Sequence, residues 1–375
     1  MQSKQQPKEH RLHALCPYYA MFPPDFAREN ILAYSKPGSL IFDPFCGRGT
    51  TVLEALLNDR EAIGVDINPV AAVISQAKAQ APQLGKVLNR INELEAEYKS
   101  ANKSGLRTLI RQLPLFFSYA YTEKTLEQIL FLRSNLAWKS RGLDRFICAL
   151  VLGHLHGESE DSPSYLSNQM PHTIAPKPNY SIKYWKKNGL HAPERNTFDL
   201  LRTKATFRLE NGIPENDGLV IRGDARQSHK RLQTFKHKVS VVITSPPYLD
   251  VTRFEEDQWL RLWFLGGEPK PTYGHVSSDD RHRNTNKYFA FLTEVWRGIE
   301  PLTKSSSILV CRIGTMHIPY SEMKQNFRET VRAVWPQARL MGAPKVSELR
   351  NSQTDIIRPG AVGCKEEYDF KFKLA

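Results

Sequence analysis

SLIFDPFCGRGTTVLEALLNDREAIGVDINPVAAVISQAKAQ, residues 39 to 80, alternates between the sequence periods of strands and helices. A short apolar strand over residues 40 to 42 is followed by a glycine turn and by a helix whose apolar residues lie three and four apart. A second strand covers residues 62 to 67. Two strands joined by a single helix form a right-handed parallel crossover, so this stretch predicts the start of an α/β sheet.

The same alternation resumes much later in the chain. GLVIRGDA (218 to 225), VSVVITSPPY (239 to 248) and SSILVCRIG (306 to 314) predict three more strands, with a helix over residues 288 to 302. Together with the first two strands they describe one doubly wound α/β sheet that is interrupted in the middle.

The interruption runs from residue 81 to 215 and is largely helical in pattern. LGKVLNRINELEAEY, TEKTLEQILFLRSNLAW and LDRFICALVLGHLHG carry apolar residues at helical spacing, and Asp144 is placed to cap the third helix. We therefore expect one domain built from residues 1 to 80 and 216 to 375, with residues 81 to 215 as an insertion.

Composition and charge restrict the class of protein. The 375 residues are 41% apolar and 24% charged, and 52 Lys plus Arg against 39 Asp plus Glu leave a net charge of +13, which suits a polyanionic partner. The absence of a long apolar run or secretory signal predicts a cytoplasmic protein without membrane contact. Five widely spaced cysteines argue against a disulfide framework or structural zinc, and His154 and His156 lack a third ligand, so no metal site is assigned.

VVITSPPYLD, residues 241 to 250, ends a predicted core strand with two prolines and a tyrosine. Neither proline can donate to a strand ladder, so the turn is stiff and presents Ser245 and Tyr248 at the carboxyl end of the strand. Open α/β sheets bind their ligands at that edge. A plain strand-ending turn is the alternative.

DPFCGRGT, residues 43 to 50, is a glycine turn between a strand and a helix, where backbone can approach a ligand closely. A dinucleotide-binding turn is a competitor, although the third glycine of G-x-G-x-x-G is missing. Asp66 lies 23 residues after Asp43, at the end of the next strand, where a carboxylate can accept both hydroxyls of a ribose. The pattern predicts a nucleoside site.

DPFCGRGT and TSPPY together resemble the S-adenosylmethionine-dependent amino-methyltransferases that act on exocyclic amines of DNA bases. The first motif of that family has the form D-P-F-x-G-x-G-T, and the catalytic motif is S/D/N-P-P-Y/F. CPYYAMFPPDFAREN, residues 16 to 30, is similar to the segment that closes over the methionine end of the cofactor. The resemblance covers residues 1 to 80 and 216 to 375 and implies a Rossmann-like methyltransferase sheet.

The resemblance implies a set of cofactor-binding residues. Asp43 would act on the methionine end through its surroundings, Asp66 would bind the ribose, and Asp224 of the RGDA motif would accept from the adenine amine. Asp224 follows Asp66 by 158 residues, which places the insertion between the second and third strands. Capping of helices is the alternative role for Asp66 and Asp224. The full set is Phe22, Asp43, Pro44, Phe45, Gly47, Gly49, Thr50, Asp66, Asp224 and Ala225.

The resemblance also implies the chemistry of transfer. Ser245 and the carbonyl of Pro246, held rigid by Pro247, would accept hydrogen bonds from the target amine, and Tyr248 would stack on a base extruded from the duplex. Serine at the first position favours cytosine N4, with adenine N6 as the alternative and an RNA amino-methyltransferase as the second. A nucleotide-binding module without catalysis is the hypothesis from a different class.

Recognition of the target sequence needs further residues, and the polar, proline-rich segment 157 to 195 is the candidate. Its aromatic residues are interleaved with lysines, which is unusual for a disordered segment. We expect it to read double-stranded DNA, with a surface lid as the alternative, and the implied system allows a separate cognate restriction endonuclease. The DNA-binding candidates are Asn168, Gln169, His172, Asn179, Lys183 and Lys186.

Overall fold

The computed structural model of the protein describes residues 9–18, 22–157, 163–170, 176–249, 254–272, 284–315, 318–348, 364 and 366–375. Its strands are β1 (Leu40–Asp43), β2 (Glu61–Asp66), β3 (Leu219–Arg222), β4 (Val239–Thr244), β5 (Thr303–Thr315), β6 (Arg339–Leu340), β7 (Lys345–Glu348) and β8 (Glu366–Lys373).

The helices of the described residues alternate with these strands. They are α1 (Pro24–Tyr34), α2 (Thr50–Leu57), α3 (Pro69–Ala79), α4 (Leu84–Ser100), α5 (Ser104–Gln112), α6 (Phe116–Ala120), α7 (Glu123–Asn135), α8 (Gly142–His154), α9 (Pro178–Lys187), α10 (Thr197–Leu209), α11 (Ser228–Arg231), α12 (Phe254–Phe264), α13 (Thr285–Ile299) and α14 (Tyr320–Arg332). None of these described helices is both long and apolar enough to cross a membrane.

The strands form one sheet in the order β3-β2-β1-β4-β5-β8-β6, with β7 also paired to β8. The first five strands in this order are parallel, whereas β8 runs antiparallel to β5. The strand order reverses direction between β1 and β4, which makes a crevice at their carboxyl ends. The predicted doubly wound, Rossmann-like sheet is confirmed, and all five strands expected from the sequence are present.

Two apolar layers cover the centre of this sheet. Every residue of β1 is buried, and so is nearly every residue of β4, because apolar side chains cover both faces of a parallel sheet. One face packs against α13 and α14, which contribute Trp296 and Phe327. The other face packs against α1 and α2. The central strands are therefore rigid supports for whatever lies at their ends.

The helices from α4 to α10 lie between β2 and β3 in sequence, although these two strands are hydrogen-bonded neighbours. Their apolar core is continuous with the outer face of α3, and it takes in Trp259 and Trp263 of α12. Both tryptophans of DQWLRLWFLG, residues 257 to 266, are therefore core residues. The helical region thus extends the helix layer of the sheet and also contacts the segment that follows β4.

Asp144 does not have the predicted capping role. Its carboxylate accepts from the Arg90 Nε at 3.0 Å and from the Ala137 amide at 3.0 Å, and no side chain caps the start of α8. Asp144 is buried inside the first turn of the helix, so its carboxylate pairs with a cation of α4 and with the preceding loop.

Candidate active site

Asp43, at the end of β1, joins three elements of the sheet edge. One carboxylate oxygen accepts from the Thr244 hydroxyl at 2.7 Å and from the Phe45 amide at 3.0 Å, and the other accepts from the Thr51 hydroxyl at 2.7 Å. Burial raises the pKa of Asp43 to about 6. Because Thr244 directly precedes Ser245, this carboxylate connects the glycine turn to the S-P-P-Y turn.

Gly49 and Gly47 of the turn differ in how closely other residues surround them. Gly49 has φ +79°, and a Cβ there would lie 2.9 Å from the Ser75 hydroxyl oxygen and 3.1 Å from its Cα, so this glycine permits α2 to pack on α3. A Cβ at Gly47 would come no closer than 3.9 Å to Tyr18 or to the Phe45 carbonyl. Within DPFCGRGT only Phe45 and Gly47 are half-buried, whereas Pro44, Gly49, Thr50 and the rest are buried.

Asp66 ends β2 beside this turn. Its two carboxylate oxygens accept from the Gly47 amide at 2.8 Å and from the Asn68 amide at 2.9 Å. Asn68, not Asp66, caps α3. Burial raises the pKa of Asp66 to about 6. The residue as a whole keeps some exposed surface, and each carboxylate oxygen has a second acceptor position, so Asp66 can still accept hydroxyl groups from a ligand.

Tyr18 covers the glycine turn from the amino-terminal segment, and sequence reasoning assigned no role to the residues that hold it. Its hydroxyl accepts from the Asn68 side-chain amide at 2.6 Å. The preceding turn is anchored through the His13 carbonyl, which accepts from Arg48 at 3.1 Å and Lys78 at 3.2 Å. Arg48 of the G-R-G motif is therefore a support for this segment. Only tertiary contacts identify this role.

Asp224 lies one strand further along the same edge. The Gly223 amide donates to the Asp66 carbonyl at 2.9 Å, so the ends of β2 and β3 are adjacent, although helices α3 to α10 lie between these strands in sequence. The Asp224 carboxylate accepts from the Arg226 amide at 2.9 Å and forms an ion pair with the Arg226 guanidinium at 2.6 Å. This is the capping arrangement that the sequence left as an alternative, and Ala225 beside it is buried.

Phe22 and Phe45 are the aromatic candidates for the cofactor. Phe22 is buried and packs edge-on against Phe26, with ring centroids 5.0 Å apart. Phe45 lies 5.9 Å from the ring of Phe291 on α13. Of the two, Phe45 keeps the larger exposed surface at the sheet edge.

The S-P-P-Y turn follows β4 directly and is held by a strand on the far side of β5. The Ser245 hydroxyl donates to the Tyr248 hydroxyl oxygen at 3.3 Å, and the Tyr248 hydroxyl donates to Glu367 of β8 at 2.8 Å. A Cβ at Gly314 would lie 2.5 Å from the Tyr248 ring. Pro246 is buried and Pro247 half-buried. Glu367 and Gly314 both contact Tyr248 of this candidate turn, and sequence reasoning missed them because both are distant in the chain.

The candidates for DNA contact divide into interior and exposed residues. Asn168 is 6% exposed, and its side-chain oxygen accepts from the Gln169 amide at 3.0 Å. Gln169 is half-buried, and its carbonyl accepts from the Trp185 indole at 2.8 Å. His172 lies outside the described residues. The exposed candidates all lie on α9, and they are Asn179, Lys183 and Lys186.

Residues 1–77 match the family described as DNA methylase. The resemblance to the DNA methylases is confirmed. The chain is 47% identical over 49 residues to the orphan methyltransferase M.BamHII of Bacillus amyloliquefaciens, covering 13% of this chain and 18% of that protein. It is 36% identical over 89 residues to the type II methyltransferase M.MvaI of Kocuria varians, covering 23% and 19%. The matches thus span about a fifth of these relatives' length.

Solved structures resemble the chain more broadly and more weakly. TrmN of Thermus thermophilus is 12% identical, with a TM-score of 0.36 over 97% of this chain and 52% of that one. The rRNA methyltransferase AviRa of Streptomyces viridochromogenes is 10% identical, with a TM-score of 0.35 over 98% of this chain and 94% of that one.

Proposed function

We propose that the protein is an S-adenosylmethionine-dependent DNA methyltransferase that methylates the exocyclic amine of an extruded base, with cytosine N4 favoured. The observation that carries the proposal is the 2.7 Å hydrogen bond between Asp43 and Thr244. It holds a nucleoside-type glycine turn and an S-P-P-Y turn side by side at the edge where doubly wound sheets bind ligands. The match of residues 1–77 to the DNA methylase family supports the same conclusion.

The residues present fit the cofactor. Gly47 has φ +49° and is half-buried, and a Cβ there would lie 3.9 Å from both the Tyr18 ring and the Phe45 carbonyl, so a ligand would meet bare backbone at this position. Asp66 offers unused acceptor positions beside Gly47, as a ribose diol requires. Asp224, which pairs with Arg226, would accept from the adenine amine. When bound, the cofactor supplies an electrophilic methyl group on a sulfonium.

The S-P-P-Y turn then acts on the target amine. The lone pair of an exocyclic amine is conjugated with its ring, so acceptors for the amine protons increase its nucleophilicity. Ser245 Oγ and the Pro246 carbonyl are such acceptors, on a backbone that the two prolines fix. Tyr248 offers a ring for stacking, which contributes about 1–3 kcal/mol per base in proteins that bind unpaired nucleotides. Direct transfer requires no covalent enzyme intermediate.

DNA recognition is assigned to the exposed face of α9. The segment before α9 is attached to α12, because the Trp259 indole donates to the Pro176 carbonyl at 2.7 Å and Lys177 lies 3.8 Å from Glu256. Since α12 follows the S-P-P-Y turn in the chain, these contacts connect α9 to the catalytic turn. The lysines of α9 suit phosphate contacts, and the net charge of +13 suits a nucleic acid.

The test of the proposal is transfer of a labelled methyl group from S-adenosylmethionine to duplex DNA, with RNA of matched sequence assayed in parallel. We expect label in DNA and none in RNA. Tyr248→Ala should keep cofactor affinity and lose most of the transfer, because the ring that places the base is gone. Label in RNA alone would show that the substrate is RNA and not DNA. Cofactor binding without transfer to DNA or RNA would indicate a nucleotide-binding module without catalysis.

A further inference from the structure

We propose that Glu367 orients the catalytic turn: through Tyr248 it fixes the direction of the Ser245 hydroxyl, so that Ser245 Oγ faces the target amine as a hydrogen-bond acceptor. The inference rests on the proposed function. It gives β8, the last strand in the chain, a role in positioning the catalytic turn, and neither turn motif includes a residue of that strand.

The three side chains form a short chain of hydrogen bonds. Ser245 Oγ lies 3.3 Å from Tyr248 Oη, and Tyr248 Oη lies 2.8 Å from Glu367 Oε1. Gly314, the register partner of Glu367 on β5, has no Cβ and so lets the Tyr248 ring approach the sheet. The Tyr248 hydroxyl is thus held from β8, and the ring rests against β5.

The direction of this chain follows from its carboxylate end. An ionised carboxylate only accepts hydrogen bonds, so the single hydroxyl proton of Tyr248 points to Glu367. The Ser245 proton can then point to Tyr248 Oη, which leaves the lone pairs of Ser245 Oγ for the N–H groups of the target. Without the anion, the Ser245 hydroxyl is free to donate to the amine nitrogen, which would occupy the lone pair that must attack the methyl group.

Arg312 places a positive charge beside the carboxylate end of the chain. Its guanidinium binds Asp369 through two hydrogen bonds of 2.7 and 2.8 Å and lies 3.5 Å from Glu367. The same guanidinium lies 4.0 Å from the ring centroid of Phe26, the neighbour of Phe22. Burial, reinforced by the charge of Glu367, raises the pKa of Tyr248 well above its ordinary value, so the hydroxyl keeps its proton.

Glu366 provides a matched control for Glu367. It is the preceding residue of β8, and its carboxylate accepts from the Tyr368 hydroxyl at 2.5 Å, away from the catalytic turn. Glu367→Gln and Glu366→Gln therefore remove the same charge from the same strand. Each also weakens the same kind of hydrogen bond, from a tyrosine hydroxyl to a carboxylate. Only the first change reaches Ser245.

The experiment measures kcat for DNA methylation and the Kd for S-adenosylmethionine in four variants. Glu367→Gln should lower kcat by roughly tenfold to a hundredfold, as expected for loss of a charge-assisted hydrogen bond, with the Kd within about twofold of wild type. Glu366→Gln should keep wild-type kcat. Tyr248→Phe combined with Glu367→Gln should be no slower than Tyr248→Phe alone, because both changes interrupt one chain.

Wild-type kcat in Glu367→Gln, or losses that multiply in the double variant, would overturn the inference. A second readout does not depend on methylation. With ¹³C-labelled tyrosine, assigned through Tyr248→Phe, the pKa of Tyr248 should fall in Glu367→Gln and stay unchanged in Glu366→Gln. An unchanged Tyr248 titration would contradict the hydrogen-bond chain itself, whereas failure of the wild-type protein to methylate DNA would contradict only the proposed function.

Discussion

Two carboxylates at the sheet edge, Asp43 and Asp66, differ in their burial and in the number of protein groups that donate to them. Asp43 is 1% exposed and has three protein donors, so it acts through the elements that it joins. Asp66 is half-buried and keeps free acceptor positions. The two residues were predicted together from one sequence pattern, and only their surroundings distinguish them.

Asp66 should make cofactor affinity depend on pH. Burial raises its pKa from 3.8 to about 6, so below pH 6 the carboxyl group holds a proton that it must lose before it can accept two ribose hydroxyls. The Kd for S-adenosylmethionine should therefore rise as the pH falls from 7 to 5, by up to about tenfold per pH unit below the pKa. Calorimetric titration at several pH values checks this expectation.

Asp66→Asn is the control for that titration. It should bind the cofactor more weakly at pH 7 and show a flatter pH dependence, because the amide does not titrate. The pKa of Asp43 is also about 6, so any slope that the variant retains reports on Asp43. An unchanged slope in Asp66→Asn would assign the whole dependence to Asp43 and exclude Asp66 from the ribose site.

At the scale of elements, the central contact is the one between the ends of β1 and β4. Thr244→Val removes a donor to one Asp43 oxygen, and Thr51→Val removes the donor to the other, from α2. Both should cost about 1–3 kcal/mol of unfolding free energy, because each leaves a buried carboxylate less satisfied. Only Thr244→Val should also lower kcat, because Thr244 precedes Ser245.

Urea unfolding and methylation rates of the two variants, measured side by side, separate the effects. Equal kcat values at equal stability loss would show that the Asp43–Thr244 bond serves the fold alone.

Helix α9 carries the prediction for DNA binding. Replacing Lys183 and Lys186 by Ala should weaken DNA binding and reduce the slope of log K against log salt by roughly 0.9 for each phosphate that the protein no longer neutralises. Lys304→Ala is the control, since Lys304 donates to Ser240 at 2.9 Å near the amino ends of β4 and β5, at the opposite edge of the sheet. The measurement is binding of a labelled duplex at several salt concentrations. If Lys304→Ala changed the salt slope and the α9 variant did not, α9 would be excluded from the DNA-binding surface.

Secondary-structure elements were far easier to predict from the sequence than the partners of individual side chains. Strands and helices could be predicted because apolar periodicity is a local pattern and because glycine and proline turns mark the ends of these elements. The bond from Tyr248 to Glu367 spans 119 residues, and the bond from Thr244 to Asp43 spans 201, so no local pattern reports them. Asn168 looked like a surface reader because its segment is polar, yet it is buried and bonded within the protein.

At the scale of the whole molecule, the proposed function places the cofactor and base turns at one edge of the sheet and the phosphate contacts on exposed lysines of α9, between β2 and β3 in sequence. The net charge of +13 is spread over both parts. Binding of long duplex DNA is therefore expected to fall steeply with salt, whatever the target sequence. Transfer itself should depend on the sheet edge.

Nucleoside analysis of the methylated product is the most direct test of the proposed amine chemistry. Duplex DNA is incubated with the protein and S-adenosylmethionine, digested to nucleosides and separated by mass spectrometry against standards. We expect N4-methylcytosine from the wild-type protein and much less of it from Tyr248→Ala. N6-methyladenine would change the target base and keep the amine chemistry. Methylation at a ring carbon such as C5 of cytosine, or no modified nucleoside in DNA, would contradict the proposed function.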